Sequence, residues 1–190
     1  GPLWLQQGWA TGARDWIAAQ VAHLGHELTA PVEQIRSWER GSLWRAQTDT
    51  GMLYFKAVPP VFAHEVALPP ALNRWRPGYA TEGVAQDEAR GWMLMADLGD
   101  RILFDVRDLA AWEAAVRAYA ELQIACIARR DDLLALGCPR RPLADLPASL
   151  DALLADEAAF LPHEDDGLSA EQIARLRDLA PELHAACAEL

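Results

Sequence analysis

Between residues 32 and 58 the apolar positions fall in short segments of six to eight residues bounded by turn residues, and beyond residue 108 they return every third or fourth residue. Side chains switch faces at each residue of a strand and share a face about every 3.6 residues of a helix. The pattern therefore predicts a strand-rich first half, to about residue 97, and a wholly helical second half. Ahead of the strands, Thr11 can cap a helix over 12–24, whose stripe of Trp16, Ile17, Val21 and Leu24 ends at Gly25. Residues 32–38 and 43–48 predict two strands joined by Glu39, Arg40, Gly41 and Ser42, a turn with glycine where positive φ is needed. The tight turn Asp49-Thr50-Gly51 leads into the strongest strand signal of the chain, residues 52–58. Pro59-Pro60 stops that strand and starts a short helix over 61–68, which Pro69-Pro70 interrupts. A second hairpin, 84–87 and 92–96, flanks Glu88-Ala89-Arg90-Gly91. The expected fold class is α+β: a five-stranded antiparallel sheet with one packed helix, followed by helices.

In the helical half a long helix over 108–128 carries Trp112, Val116, Tyr119, Gln123 and Cys126 on one stripe. Further helices are expected over 147–160, with Leu150, Leu153 and Leu154, and over 170–180, with Ile173 and Leu176. Ser169 and Gln172 form a capping-box start for the latter. The last segment, 182–190, places Leu183, Cys187 and Leu190 on one stripe and stops in mid-pattern, without glycine, proline or a basic last turn. The expectation is a chain cut within its helical part.

Composition narrows the classes. A hydrophobic content of 52% is ample for a packed core, and 17 basic against 28 acidic residues give a net charge of −11. Nucleic-acid binding needs clustered cations; the only arginine doublets, Arg129-Arg130 and Arg140-Arg141, fall in expected loops. No apolar stretch approaches the roughly 20 residues of a membrane span, and the start lacks a signal-peptide pattern. A cytoplasmic protein with no membrane or nucleic-acid partner is expected. Cys126, Cys138 and Cys187 lack metal-ligand spacing and fit reduced thiols. His23 and His26 have no cysteine nearby to make a metal site.

Of the 17 basic residues, the only lysine is Lys56, in the middle of the most apolar strand. Alternation puts it on the face of Met52, Tyr54 and Val58, where an unpaired ammonium would cost several kcal/mol, so it needs an anion. Glu65, on the helix that follows, is the nearest candidate. Val61, Phe62 and Leu68, at i−4, i−3 and i+3, would pack that helix on the sheet and turn the carboxylate inward. The alternative is a lysine that snorkels at the sheet rim and a glutamate that faces solvent.

The order of these features carries further information. A hairpin with a Gly-Ser turn, a lysine in the third strand, a glutamate on a helix and a hairpin ending in Met95-Ala96-Asp97-Leu98-Gly99 are laid out as in a kinase-type nucleotide lobe. Residues 30–128 resemble the aminoglycoside phosphotransferase and choline-kinase-like branch of the protein-kinase-like fold. The likeness rests on Phe55-Lys56-Ala57-Val58-Pro59-Pro60, His64-Glu65 and the run Gly91 to Gly99.

The resemblance implies a nucleotide-binding lobe over 1–97 and a helical lobe over 98–190 that ends before the catalytic loop. It implies that Lys56 contacts the α- and β-phosphates of ATP and that Glu65 orients it. The turn at Arg40, Gly41 and Ser42 would cover the phosphates, and the backbone of Met95, Ala96, Asp97 and Leu98 would hold the adenine edge beside Tyr54. In an intact protein ATP and Mg²⁺ would serve transfer of the γ-phosphate to a small hydroxyl-bearing substrate. That chemistry needs a proton-accepting aspartate, an asparagine and a metal-binding aspartate. The only asparagine is Asn73, upstream of the hinge. His163-Glu164-Asp165 and Asp97-Leu98-Gly99 imitate two of the required elements in the wrong context. No catalytic or metal residue is expected in this chain, and the alternative to an enzyme portion is a pseudokinase-like binding module.

Overall fold

The computed structural model describes residues 2–97, 99, 102–162, 164 and 167–190. Leu98, His163 and Asp165, which enter the expected hinge and the His-x-Asp imitation, lie outside the described residues. The chain is α+β. A five-stranded antiparallel sheet is followed by helices, and two compact units form, Gly1–Cys138 and Pro139–Leu190.

The first helix, α1, spans Trp9–His23. It starts earlier than the sequence predicts. Gly8, at φ 83°, turns the chain out of a short 3-10 turn at Leu3–Leu5, so Thr11 lies inside the helix instead of capping it. Ala13, Ile17 and Val21 are buried, whereas Leu24, expected on the stripe, is 39% exposed beside the left-handed Gly25.

Strands β1 (Glu33–Trp38), β2 (Gly41–Thr48) and β3 (Gly51–Ala57) form a meander. Then come helix α2 (His64–Trp75) and the hairpin β4 (Gly83–Asp87) and β5 (Trp92–Ala96). The order across the sheet is β1-β2-β3-β5-β4. Cross-strand register places Trp44, Phe55 and Leu94 in one row and Ser42, Ala57 and Trp92 in the next, all on one face. That face packs on α1, with Trp9 and Trp16 joining Trp44, Phe55 and Trp92 in edge-on and tilted aromatic contacts at 5.6–6.4 Å. The sheet thus has a helix on each face, where one packed helix was expected. Burying a ring such as Phe55 completely contributes about 1.5–3 kcal/mol.

The opposite face carries Tyr54, Lys56, Met93 and Met95 and receives α2, whose Val66 is buried against Val58 and Met93. Helix α2 runs straight through Pro69 and Pro70, which were expected to end it. Proline has no N–H to give to the carbonyl four residues back. The Val66 carbonyl left free by Pro70 instead accepts from the Gln86 side chain of β4 at 3.0 Å. Gly83 makes room for this arrangement, since a Cβ there would lie 3.0 Å from Gln86 Nε2 and 3.3 Å from Pro70 Cγ.

Helix α3 (Leu109–Ile127) is capped by Asp108, which accepts from the Ala110 amide at 3.0 Å. Its apolar stripe, expected in the core, is exposed: Trp112 by 43%, Val116 by 66% and Tyr119 by 63%. Arg130, expected in a loop, opens a short helix, α4 (Arg130–Ala135).

The second unit holds α5 (Leu146–Ala155), α6 (Ala170–Asp178) and α7 (Ala180–Ala188) around Leu154, Phe160 and Ile173. The helix expected over 147–160 breaks at Asp156, whose carboxylate caps a 3-10 turn at Glu157–Phe160. Both bonds of the Ser169–Gln172 capping box are present. None of the described helices is long and apolar enough to cross a membrane.

Candidate functional site

Lys56 reaches the α2 face because it sits between the buried Phe55 and Ala57, which point the other way. Its Nζ donates to Glu65 Oε2 from the first turn of α2, and the two side chains are 28% and 34% exposed. The structure therefore brings together the lysine and glutamate that the sequence singles out. The packing that does so differs from expectation. Val61 lies in a 3-10 turn, Pro60–Phe62, and is 69% exposed, because the helix begins only at His64. Phe62 and the unforeseen Val66 hold the helix down.

The β1–β2 connection is tighter than expected. Only Glu39 and Arg40 form the turn, while Gly41 and Ser42 belong to β2 and pair with Trp38 and Ser37. Gly41 has no positive φ. Its role is close approach: a Cβ would lie 3.0 Å from the Ala57 carbonyl and 3.9 Å from both Lys56 Cε and the Trp38 ring. Ser42 is fully buried on the α1 face, where its hydroxyl accepts from Trp44 Nε1 at 2.7 Å and lies 2.5 Å from the Ser37 hydroxyl. Its side chain is committed to the core. Of the expected phosphate-covering residues, Arg40 is exposed at the tip and Gly41 lies beside Lys56.

Further along the same face as Lys56, Tyr54 stands opposite Met95, one row from the Lys56–Met93 pair. The Ala96 amide donates to the Glu82 carbonyl at 3.1 Å. Asp97 turns back on its own backbone, accepting from the Gly99 amide at 2.9 Å, with Gly99 at φ 93°. Asn73 is likewise occupied, donating to the carbonyls of Ala80 and Thr81 at 3.0 and 2.8 Å and so fixing the loop after α2. Among the described residues no three His, Cys, Asp or Glu side chains come together. Burial, with Cys126 nearby, raises the Cys138 thiol above its ordinary 9.0.

Three residues of this face were missed. Leu43 stands opposite Lys56 and forms the floor between the turn and Tyr54, while Arg36 and Trp38 line the outer strand. Register across the two-residue turn is the signal that would have found them. A cavity of about 340 Å³ lined by Leu3, Trp9, Val58, Pro60 and Trp92 contains none of the candidate residues.

No family model and no curated protein matches the chain. Two solved structures resemble it, both from the kinase-like phosphotransferase group. A fructosamine-3-kinase-like protein from Thermobifida fusca YX-ER1 is 23% identical, over 45% of this chain and 32% of that one, with a TM-score of 0.36. A macrolide 2'-phosphotransferase type I is 12% identical, over 90% and 60%, with a TM-score of 0.49. The chain thus spans about a third and three fifths of their lengths. At these scores and identities neither likeness decides an activity.

Proposed function

We infer that the Tyr54–Lys56–Met95 face binds a nucleotide and that this chain is the amino-terminal portion of an ATP-dependent small-molecule phosphotransferase. The observation that carries the reading is the ion pair between Lys56 on β3 and Glu65 on α2. A lone lysine, half-buried in a strand and held by a glutamate from the covering helix, has a fixed ammonium beside the glycine that follows the β1–β2 turn. A compact ammonium on a flexible stem suits contact with phosphate oxygens. Glu65 keeps it from collapsing onto the strand. Leu43, Tyr54 and Met95 supply an apolar floor for a base, and the Asp97 segment supplies backbone groups at its edge.

Transfer of the γ-phosphate from Mg-ATP to the hydroxyl of a small acceptor needs an asparagine and two aspartates, and the only asparagine of the sequence, Asn73, is bound into the loop after α2. Transfer is proposed for a longer protein that carries this lobe; for the chain itself the proposal is binding. The non-catalytic alternative is favoured by one observation, the full engagement of the only asparagine in a structural loop. Coding sequence after Leu190 that supplies a His-x-Asp loop, an asparagine and a metal aspartate supports the transferase; a stop codon there leaves the binding module.

Calorimetric titration with the ATP analogue AMP-PNP tests the binding step. Weak binding that is lost in Lys56→Ala is expected, whereas unchanged binding in that variant would refute the assignment of the lysine.

A further inference from the structure

The face that carries the lysine–glutamate pair has a second cation in the row of the lysine. In the register of the first three strands, Arg36 stands opposite Leu43, and Leu43 stands opposite Lys56. The three form one row across the sheet on the nucleotide face. With strands about 4.8 Å apart, the backbones of Arg36 and Lys56 lie about 10 Å from each other, a span that two long side chains can close on a polyphosphate.

Arg36 is held in a particular way. Its guanidinium carbon lies 4.8 Å from the Trp38 ring centroid, stacked over the indole. Trp38 and Lys56 flank the same glycine, each 3.9 Å from the position a Cβ on Gly41 would take. A guanidinium resting flat on a ring keeps its edge N–H groups free to donate as a planar fork, which an ammonium does not offer. Among the described residues Arg36 has no carboxylate partner, whereas Arg45, the next cation on this face, is paired with Glu33 at 2.7 Å. An uncompensated arginine, propped on an indole in the row of the lysine, stands out in a chain of net charge −11. The two-residue turn also leaves few backbone amides to cradle an anion, so a side chain has to supply the donors.

We propose that Arg36, positioned by Trp38, is a second phosphate-binding residue of the cleft and donates its guanidinium edge to the polyphosphate chain opposite Lys56. This rests on the nucleotide-binding reading above. The test is calorimetric titration of the wild-type chain and of Arg36→Ala, Arg36→Lys, Trp38→Ala and Lys56→Ala with AMP-PNP, ADP and adenosine. Circular dichroism melts verify that each variant is folded.

Arg36→Ala is expected to weaken AMP-PNP binding about ten- to a hundredfold, the value of a charge-assisted hydrogen bond, and to leave adenosine binding unchanged. Arg36→Lys restores part of the loss, and Trp38→Ala, which removes only the prop, loses less than Arg36→Ala. Wild-type affinity for AMP-PNP in Arg36→Ala, with binding lost in Lys56→Ala, overturns this inference and leaves the nucleotide site standing. An equal loss of adenosine and AMP-PNP in Arg36→Ala overturns it as well, because the residue would then support the fold of the cleft. No AMP-PNP binding by the wild-type chain, or full binding by Lys56→Ala, overturns the underlying reading and the inference with it.

Discussion

On the α1 face of the sheet, Trp44, Phe55 and Leu94 are wholly buried, and on α3, Val116, Tyr119 and Ile124 are each more than 60% exposed. Both segments carry a regular apolar pattern. The sheet meets α1, a second apolar surface with its own stripe, and the two interlock through aromatic edges. Helix α3 has no buried residue at all. An amphipathic pattern fixes the direction in which side chains seek burial, and only a partner surface turns that direction into stability.

Substitutions that match the two regions test this contrast most strongly. Phe55→Ala is expected to lose about 3–5 kcal/mol in urea unfolding, and Val116→Ala less than about 0.5 kcal/mol. A comparable loss at Val116 would mean that the α3 face is covered in solution and would break the comparison. The next effect belongs to the α2 face. Gln86→Ala leaves the Val66 carbonyl without its donor and is expected to cost about 1–3 kcal/mol. The cost should shrink in a Pro70→Ala background, where the helix regains its own N–H; equal costs in both backgrounds would show that Gln86 acts elsewhere. The smallest effect is in the second unit, where Ser169→Ala removes one half of the capping box and is expected to cost about 1 kcal/mol. A thermal melt that shows no change in that variant would place the stability of α6 in the Leu154–Phe160–Ile173 contacts alone.

The strands were legible because short apolar segments with β-branched or aromatic content are bounded by turns with glycine and charged residues. Lys56 stood out for the same reason, as one charge in an apolar run. The errors have a common cause in long-range contacts. Pro69 and Pro70 end a helix by local rules, and the carbonyl freed at Val66 is rescued by a side chain from a strand twenty residues on. Gly41 looked like a positive-φ residue of a four-residue turn, yet it is needed for approach to the Ala57 carbonyl, a contact that exists only once β3 is in place. Ser42, which the resemblance puts in the turn over the phosphates, lies fully buried with its hydroxyl on the Trp44 indole, a contact set by the sheet's α1 face. The placement of Arg36 in line with Lys56 was invisible because only the pairing of β1 with β2 and of β2 with β3 creates it.

The aromatic packing has an optical consequence. Trp4, Trp9, Trp16, Trp44 and Trp92 form a connected set of ring contacts, with centroids 5.7–6.3 Å apart, close enough for their excited states to couple. The near-ultraviolet dichroism of this protein is therefore a collective signature of the docking of α1 on the sheet, and it vanishes when that face opens. Trp38 stands outside the set, stacked with Arg36 next to Lys56. Its environment is therefore independent of the collective band, so one chain carries separate spectroscopic reporters for the docking of α1 and for the Arg36–Lys56 face.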